Sequence, residues 1–165
     1  MTFLDRLRFL LVTSCGLGLS PFAPGTVGTL GGVVVGLVLQ LAFPGREMLA
    51  YWVAAAVLFV LGCMQTDFVN RTFRGEDPGA FVLDEVIGYL VSLALWMTLA
   101  GHGVVPGALA HTAAFFVFRV FDVLKVQPCR RLEDLPGALG IIADDVMAGV
   151  YSGLALWLLL PLLGG

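Results

Sequence analysis

Five apolar segments, at residues 27–43, 49–64, 86–100, 104–121 and 146–163, dominate this chain of 165 residues. Each is near, or a little below, the roughly 20 residues that a helix needs to span a bilayer. Only 13% of residues are charged and 59% are hydrophobic, where a soluble domain carries about 25% charged residues. The mean hydropathy is +0.96. The pattern predicts a single domain over residues 1–165, all-α, folded as a multi-pass membrane bundle of about five apolar helices. The competing architecture is a compact soluble bundle of very apolar helices, which segments as short as 86–100 keep open. Gly/Pro punctuation such as "FPGRE", "GHGVVPG" and "DLPGALG" falls between the segments.

If all five segments span, the N-terminus and the 65–85 and 122–145 loops share one side. Arg6, Arg8, Arg71, Arg74, Arg119, Lys125, Arg130 and Arg131 fall there, and only Arg46 falls on the other. The positive-inside rule makes that first side cytoplasmic. The acids follow the same split, with Glu47 the exception. Acids do not set topology, so either a carboxylate-rich catalytic face or a lack of room in short outer loops accounts for it. The net charge of −3, with no basic or acidic tail, argues against a nucleic-acid partner. Three cysteines at no metal-type spacing and two histidines exclude a disulfide framework and a zinc site. The apolar run before Cys15 is too short for a secretory signal.

Four polar clusters sit at the cytoplasmic ends of the apolar segments. "GLGLSPFAPGTVGTLGG" is rich in turn residues just ahead of a helix, where backbone N–H groups favour phosphate. Ser20, Thr26 and Thr29 could add hydroxyl donors; the alternative is a capped entry to a membrane helix. Gly28, Gly32 and Gly36 form a small-xxx-small stripe for close packing. Asp84 and Glu85 stand at the threshold of the third segment, where one acid would complement the helix dipole and two exceed that need. In "FRVFDVLKVQP", Arg119, Asp122 and Lys125 recur every three residues and would share one helical stripe. An ion-pair ladder there is worth only a few tenths of a kcal/mol per pair, a weak reason to hold Asp122 near a membrane. Asp144 and Asp145 enter the last segment as Asp84 and Glu85 enter the third.

Asp84, Glu85, Asp122, Asp144 and Asp145 therefore lie at one depth on one face. Crowded like charges repel, and a divalent cation relieves them. With no His or Cys available, the oxygen ligands suit Mg²⁺, with phosphate completing its shell. Arg119, Lys125, Arg130 and Arg131 lie beside the acids and could hold an anionic headgroup. Acids for a metal beside cations for phosphate form the constellation of phosphoryl chemistry.

The four blocks, in this order, resemble the phosphatidylglycerophosphatase A family. "GLSPFAPGTVGTLGG" is similar to its N-terminal block, "VLDEVIGYLVSL" to its acidic block, "FRVFDVLKVQP" to its F-R-x-x-D-x-x-K-P-x-P block and "GALGIIADDVMAGV" to its Gly-x-x-Asp-Asp block. Val126 departs from the family's Pro after the lysine, and the stretch around Pro78 also varies. The resemblance implies a multi-pass enzyme of the bacterial cytoplasmic membrane. Such an enzyme converts phosphatidylglycerophosphate to phosphatidylglycerol and needs Mg²⁺. It further implies that the five acids are the metal and catalytic groups and that Arg119 and Lys125 are phosphate partners. Two other readings stand beside it: a phosphatase for another lipid phosphomonoester, and a small ion carrier. The carrier would need polar residues deep in several helices, where Gln40, Ser92, Thr98 and Ser152 are sparse. The D-x-D-x-T pattern of covalent aspartyl phosphatases and the D-G-x2-A-R pattern of CDP-alcohol phosphotransferases are both absent from the sequence.

Overall fold

The computed structural model describes residues 1–73, 79–101 and 103–163; Arg74, Asp77, Pro78 and His102 lie outside them. Among the described residues there is helix and turn but no strand. The helices are α1 (Phe3–Val12), α2 (Pro24–Ala42), α3 (Glu47–Cys63), α4 (Thr66–Phe73), α5 (Leu83–Ala100), α6 (Ala108–Leu124), α7 (Cys129–Leu132) and α8 (Ala138–Leu159).

Local chemistry sets several of these ends. Thr2 and Asp5 cap α1 reciprocally: Thr2 Oγ1 accepts the Asp5 N–H at 3.1 Å, and Asp5 accepts the Thr2 N–H at 3.0 Å. Pro24 opens α2, where its missing N–H costs nothing. The Ala138 N–H at the head of α8 donates to Thr66 Oγ1 at 3.2 Å. Thr66 in turn donates its hydroxyl to the Cys63 carbonyl at 3.0 Å. The start of α4 thus caps the start of α8.

All five apolar segments are helical, but their ends differ from the hydropathy reading. The last helix begins at Ala138, not 146, because "ALGII" continues its apolar face upstream and Thr66 satisfies its first N–H. Asp144 and Asp145 consequently sit well inside α8 and not at its threshold. The fourth helix begins at Ala108 after Gly107, which is extended (ψ −178°), and it runs on to Leu124. Lys125 ends it with φ 45°, so the Arg119–Asp122–Lys125 stripe is broken after Asp122.

Among the described residues, three helices are long and apolar enough to cross a membrane: Pro24–Ala42, Leu83–Ala100 and Ala138–Leu162. The pair Glu47–Cys63 and Thr66–Phe73, bent by 56°, adds a fourth if it forms one span. The outward faces carry exposed Leu30, Val34, Leu41, Val57, Phe116 and Leu158. α5 is the central helix, walled by α2, α3, α6 and α8, and it is buried over most of its length.

α5 and α8 run in the same direction and meet backbone to backbone. A Cβ on Gly88 would fall 2.6 Å from the Asp145 carbonyl oxygen, and one on Gly149 would collide with the Gly88 carbonyl. Only glycine permits this approach. The Gly28–Gly32–Gly36 stripe of α2 packs as its spacing predicts, against Val82 and Tyr89 of the central layer.

Farther from the α5 N-terminus, a buried polar cluster joins four helices. The Tyr89 hydroxyl donates to His111 Nδ1 at 2.7 Å, and His111 Nε2–H donates to Gln40 Oε1 at 2.9 Å. That amide oxygen can only accept, which places the histidine proton on Nε2. The Tyr51 hydroxyl reaches the same oxygen at 3.4 Å, and the Gln40 amide donates to the Pro106 carbonyl at 3.2 Å.

Gly149→Val is expected to force α5 and α8 apart and to cost about 1–3 kcal/mol by overpacking. Gly107→Ala, where a Cβ meets nothing within 4 Å, should change stability by no more than about 0.5 kcal/mol. Thermal unfolding of both variants in detergent checks the contrast.

Candidate active site

The first turns of α2 and α5, the early part of α8 and the last turn of α6 converge on one cavity of about 500 Å³. All five acids singled out by the sequence line it, as do Arg119 and Lys125. α5 supplies Asp84 and Glu85, and α8 supplies Asp144 and Asp145. Each pair is arranged alike: the first Asp accepts the N–H of the next residue at 3.0 Å.

The glycine contact between α5 and α8 lies one helical turn beyond these acids, at Gly88 and Gly149. It therefore brings the carboxylates together. Asp84, Glu85 and Asp145 each offer an oxygen, and these oxygens lie within 4.8 Å of one another. All three residues are at least nine-tenths buried. Glu85 Oε2 is buried with no hydrogen-bond partner. Asp145 also faces the charges of Asp122 and Asp144. Three buried carboxyl oxygens, with Glu85 Oε2 lacking a partner, form a set that could hold a divalent cation.

The two cations occupy separate places. Arg119 pairs with Asp122, three residues on, and its Nη1 lies 4.0 Å from Glu85 Oε1. Lys125 does not continue that ladder. Its ammonium turns to Glu133 at 2.8 Å and to Asp144 at 3.1 Å. Burial opposes its charge, but these two carboxylates prevail and hold the Lys125 pKa above the ordinary lysine value. Lys125 is therefore charged at any physiological pH.

Of the N-terminal block, Pro24 and Gly25 line the cavity, while Ser20, Thr26 and Thr29 do not. Ser20 donates to the Phe22 carbonyl at 2.9 Å within its own turn. Thr29 is fully buried and donates to the Gly25 carbonyl at 2.9 Å. Gly25 itself is bare for a reason: a Cβ there would lie 2.5 Å from Glu85 Oε1 and 3.0 Å from an Arg119 nitrogen.

Two polar side chains of the cavity escaped the sequence reading. Asn70 comes from α4, which is short and carries polar residues, so hydropathy does not mark it. Glu133 lies eight residues beyond Lys125, across a helix break, where no i,i+3 or i,i+4 relation links them. Its place in the charged run "CRRLED" was the only signal.

Over residues 10–160 the chain matches the family described as phosphatidylglycerophosphatase A. The chain belongs to that family. It is 34% identical to the phosphatidylglycerophosphatase A of Haemophilus influenzae over 144 residues, covering 87% of this chain and 82% of that one. It is 31% identical to the Escherichia coli protein of the same name over 150 residues, covering 87% and 77%. A Bacteroides thetaiotaomicron protein, provisionally named phosphatidylinositol-3-phosphatase, is 33% identical over 154 residues, covering 88% and 89%. No solved structure matches the chain. The phosphatidylglycerophosphatase A family is one of phosphoric monoester hydrolases, and a cavity of clustered acids with the cationic side chains of Arg119 and Lys125 is chemically suited to that class.

The buried half of the Lys125 bridge is open to a double-mutant cycle. Lys125→Met should leave Asp144 buried without its counter-charge and destabilise the protein by about 1–3 kcal/mol. Adding Asp144→Asn should recover most of that loss. A coupling energy near zero between the two changes would mean that the ion pair contributes nothing to folding.

Proposed function

We propose that this protein is a Mg²⁺-dependent lipid phosphatase that hydrolyses phosphatidylglycerophosphate to phosphatidylglycerol and inorganic phosphate at the cytoplasmic face of a bacterial membrane. One observation carries the reading: a buried triad of carboxylates faces Arg119 and Lys125 across a single cavity at the ends of membrane-length helices. Family membership supports the substrate.

The donor set fits the metal. Asp84, Glu85 and Asp145 are hard oxygen donors, no sulfur or imidazole accompanies them among the cavity-lining residues, and Glu85 Oε2 lacks any other partner. When bound, Mg²⁺ would offset the charge of the phosphate oxygens and lower the pKa of a bound water. The remaining roles belong to side chains. Arg119 and Lys125 hold the phosphate oxygens by charge-assisted hydrogen bonds. Asp122 is tied to Arg119 through Oδ2 and keeps Oδ1 to orient the attacking water and accept its proton. The water oxygen bonds to phosphorus as its proton passes to Asp122, the ester P–O bond breaks, and the glycerol oxygen leaves with a proton from solvent, to which Asp122 returns its own. Asp144 keeps Lys125 in place.

In this reading five helices span the membrane. α2, α5 and α8 start at the cavity end, and α3 and α6 finish toward it. Arg6, Arg8, Arg71, Arg130 and Arg131 then lie on the cavity side together with Arg119 and Lys125. Arg46 lies across the membrane, beside a hollow of about 220 Å³ that it shares with Gly101 and Gly103. The positive-inside rule makes the cavity side cytoplasmic. A second reading, hydrolysis of another lipid phosphomonoester, is favoured by the likeness to the Bacteroides protein.

Phosphate release from phosphatidylglycerophosphate in detergent micelles tests the proposal. EDTA should abolish turnover, and Asp122→Asn should lower kcat by about 10²–10⁴-fold if Asp122 is the general base. Full activity in EDTA would remove the metal, and full activity of Asp122→Asn would remove its role. A head-to-head assay with phosphatidylinositol phosphate separates the two substrates.

Thermal unfolding gives a check that needs no turnover. Mg²⁺ at about 100 times its Kd should stabilise the wild type by about 2.7 kcal/mol. Asp145→Asn should lose that gain while matching or exceeding wild-type stability in EDTA, because one repelling charge is gone.

A further inference from the structure

Lys125 closes α6 in a left-handed conformation, which aims its ammonium away from Asp122 and between two other carboxylates. Those carboxylates stand in unlike surroundings. The side chain of Asp144 is 6% exposed, and that of Glu133 is 45% exposed. Removing the ammonium from Asp144 would strand a buried charge, which is costly. Removing it from Glu133 costs little, because water takes the vacated place and exposed ion pairs are weak. Both carboxylates line the cavity, so a phosphate that enters competes with them for the same ammonium. The exposed partner yields first.

We propose that Glu133 is an exchangeable counter-ion for Lys125, a positioning residue that releases the ammonium when a phosphate monoester binds and reclaims it as inorganic phosphate leaves. This rests on the reading of Lys125 as a phosphate partner. The fold suits Glu133 to the task. Its N–H donates to the Cys129 carbonyl at 3.1 Å, so the short helix α7 anchors its backbone while its carboxylate stays in water. An ammonium with no exposed partner would retain the product. One with Glu133 at 2.8 Å has an alternative acceptor already in place. Asp144 contributes differently: it keeps Lys125 at the cavity whether or not phosphate is present.

The test uses the full chain in detergent with MgCl₂, and inorganic phosphate as the probe. Its dissociation constant is measured by calorimetry, and its inhibition constant against phosphatidylglycerophosphate turnover. Glu133→Gln should bind inorganic phosphate about two- to fivefold more tightly than wild type, the size expected for an exposed ion pair. KM should fall in parallel, with kcat unchanged or lower. Glu133→Asp should restore wild-type phosphate affinity, and Lys125→Met should erase the difference between Glu133 and Glu133→Gln. Equal or weaker phosphate binding by Glu133→Gln overturns the proposal and makes Glu133 a prop for Lys125. A difference that survives Lys125→Met, or phosphate binding absent from both proteins, overturns it as well. A wild type that binds phosphate but releases none from lipid defeats the functional reading alone, because the calorimetric comparison still decides the role of Glu133.

Discussion

The backbone contact between Gly88 and Gly149 is the constraint on which the rest of the site depends. Two helices that approach this closely must carry their flanking side chains along, and one turn away those side chains are carboxylates. Packing thus overrides repulsion. Van der Waals contact along a glycine-lined seam sets the separation of α5 and α8, and the acids accept the crowding that results. A pair of bulkier residues in the seam would separate Asp84 and Glu85 from Asp145 and undo the carboxylate cluster.

That arrangement leaves a cavity with six carboxylates facing two cations, Arg119 and Lys125. An anionic substrate would be repelled by such a site unless another positive charge were present. The imbalance separates the two demands on these residues. For folding alone, neutral side chains at Asp84, Glu85 and Asp145 would be easier to bury. For the proposed binding of a divalent cation and a phosphate, the excess of negative charge would be the useful element. The central position of α5 supports this tension, since its other faces bury apolar residues over nearly their whole length.

Much of this was legible before the structure. The five long helices follow from hydropathy, and the acids at positions 84, 85, 122, 144 and 145 stood out because charge is costly near hydrocarbon. What was not legible depended on tertiary contacts. Hydropathy could not tell that Asp144 and Asp145 lie inside α8, because that depends on Thr66, seventy-two residues upstream of Ala138, capping its first turn. The three-residue spacing of Arg119, Asp122 and Lys125 predicted one stripe, but the left-handed cap at Lys125 redirects its side chain to α8. The hydroxyls of Ser20 and Thr29 are engaged by nearby carbonyls, a local competition that composition does not reveal. The polar cluster of Tyr89, His111, Gln40 and Tyr51 was invisible because its members come from four helices.

The Thr66 cap also has a temporal side. α8 follows α1–α7 in the chain, and the hydroxyl that receives its first N–H belongs to a segment made well before it. Asp84 and Glu85 are in place without Asp145 until α8 docks. Docking of α8 therefore closes the glycine seam, fills the N-terminal cap and brings Asp145 to Asp84 and Glu85. A chain interrupted before residue 138 would carry every cation of the cavity and only half of its buried acids. Completion of the bundle and completion of the site are, in this architecture, the same event.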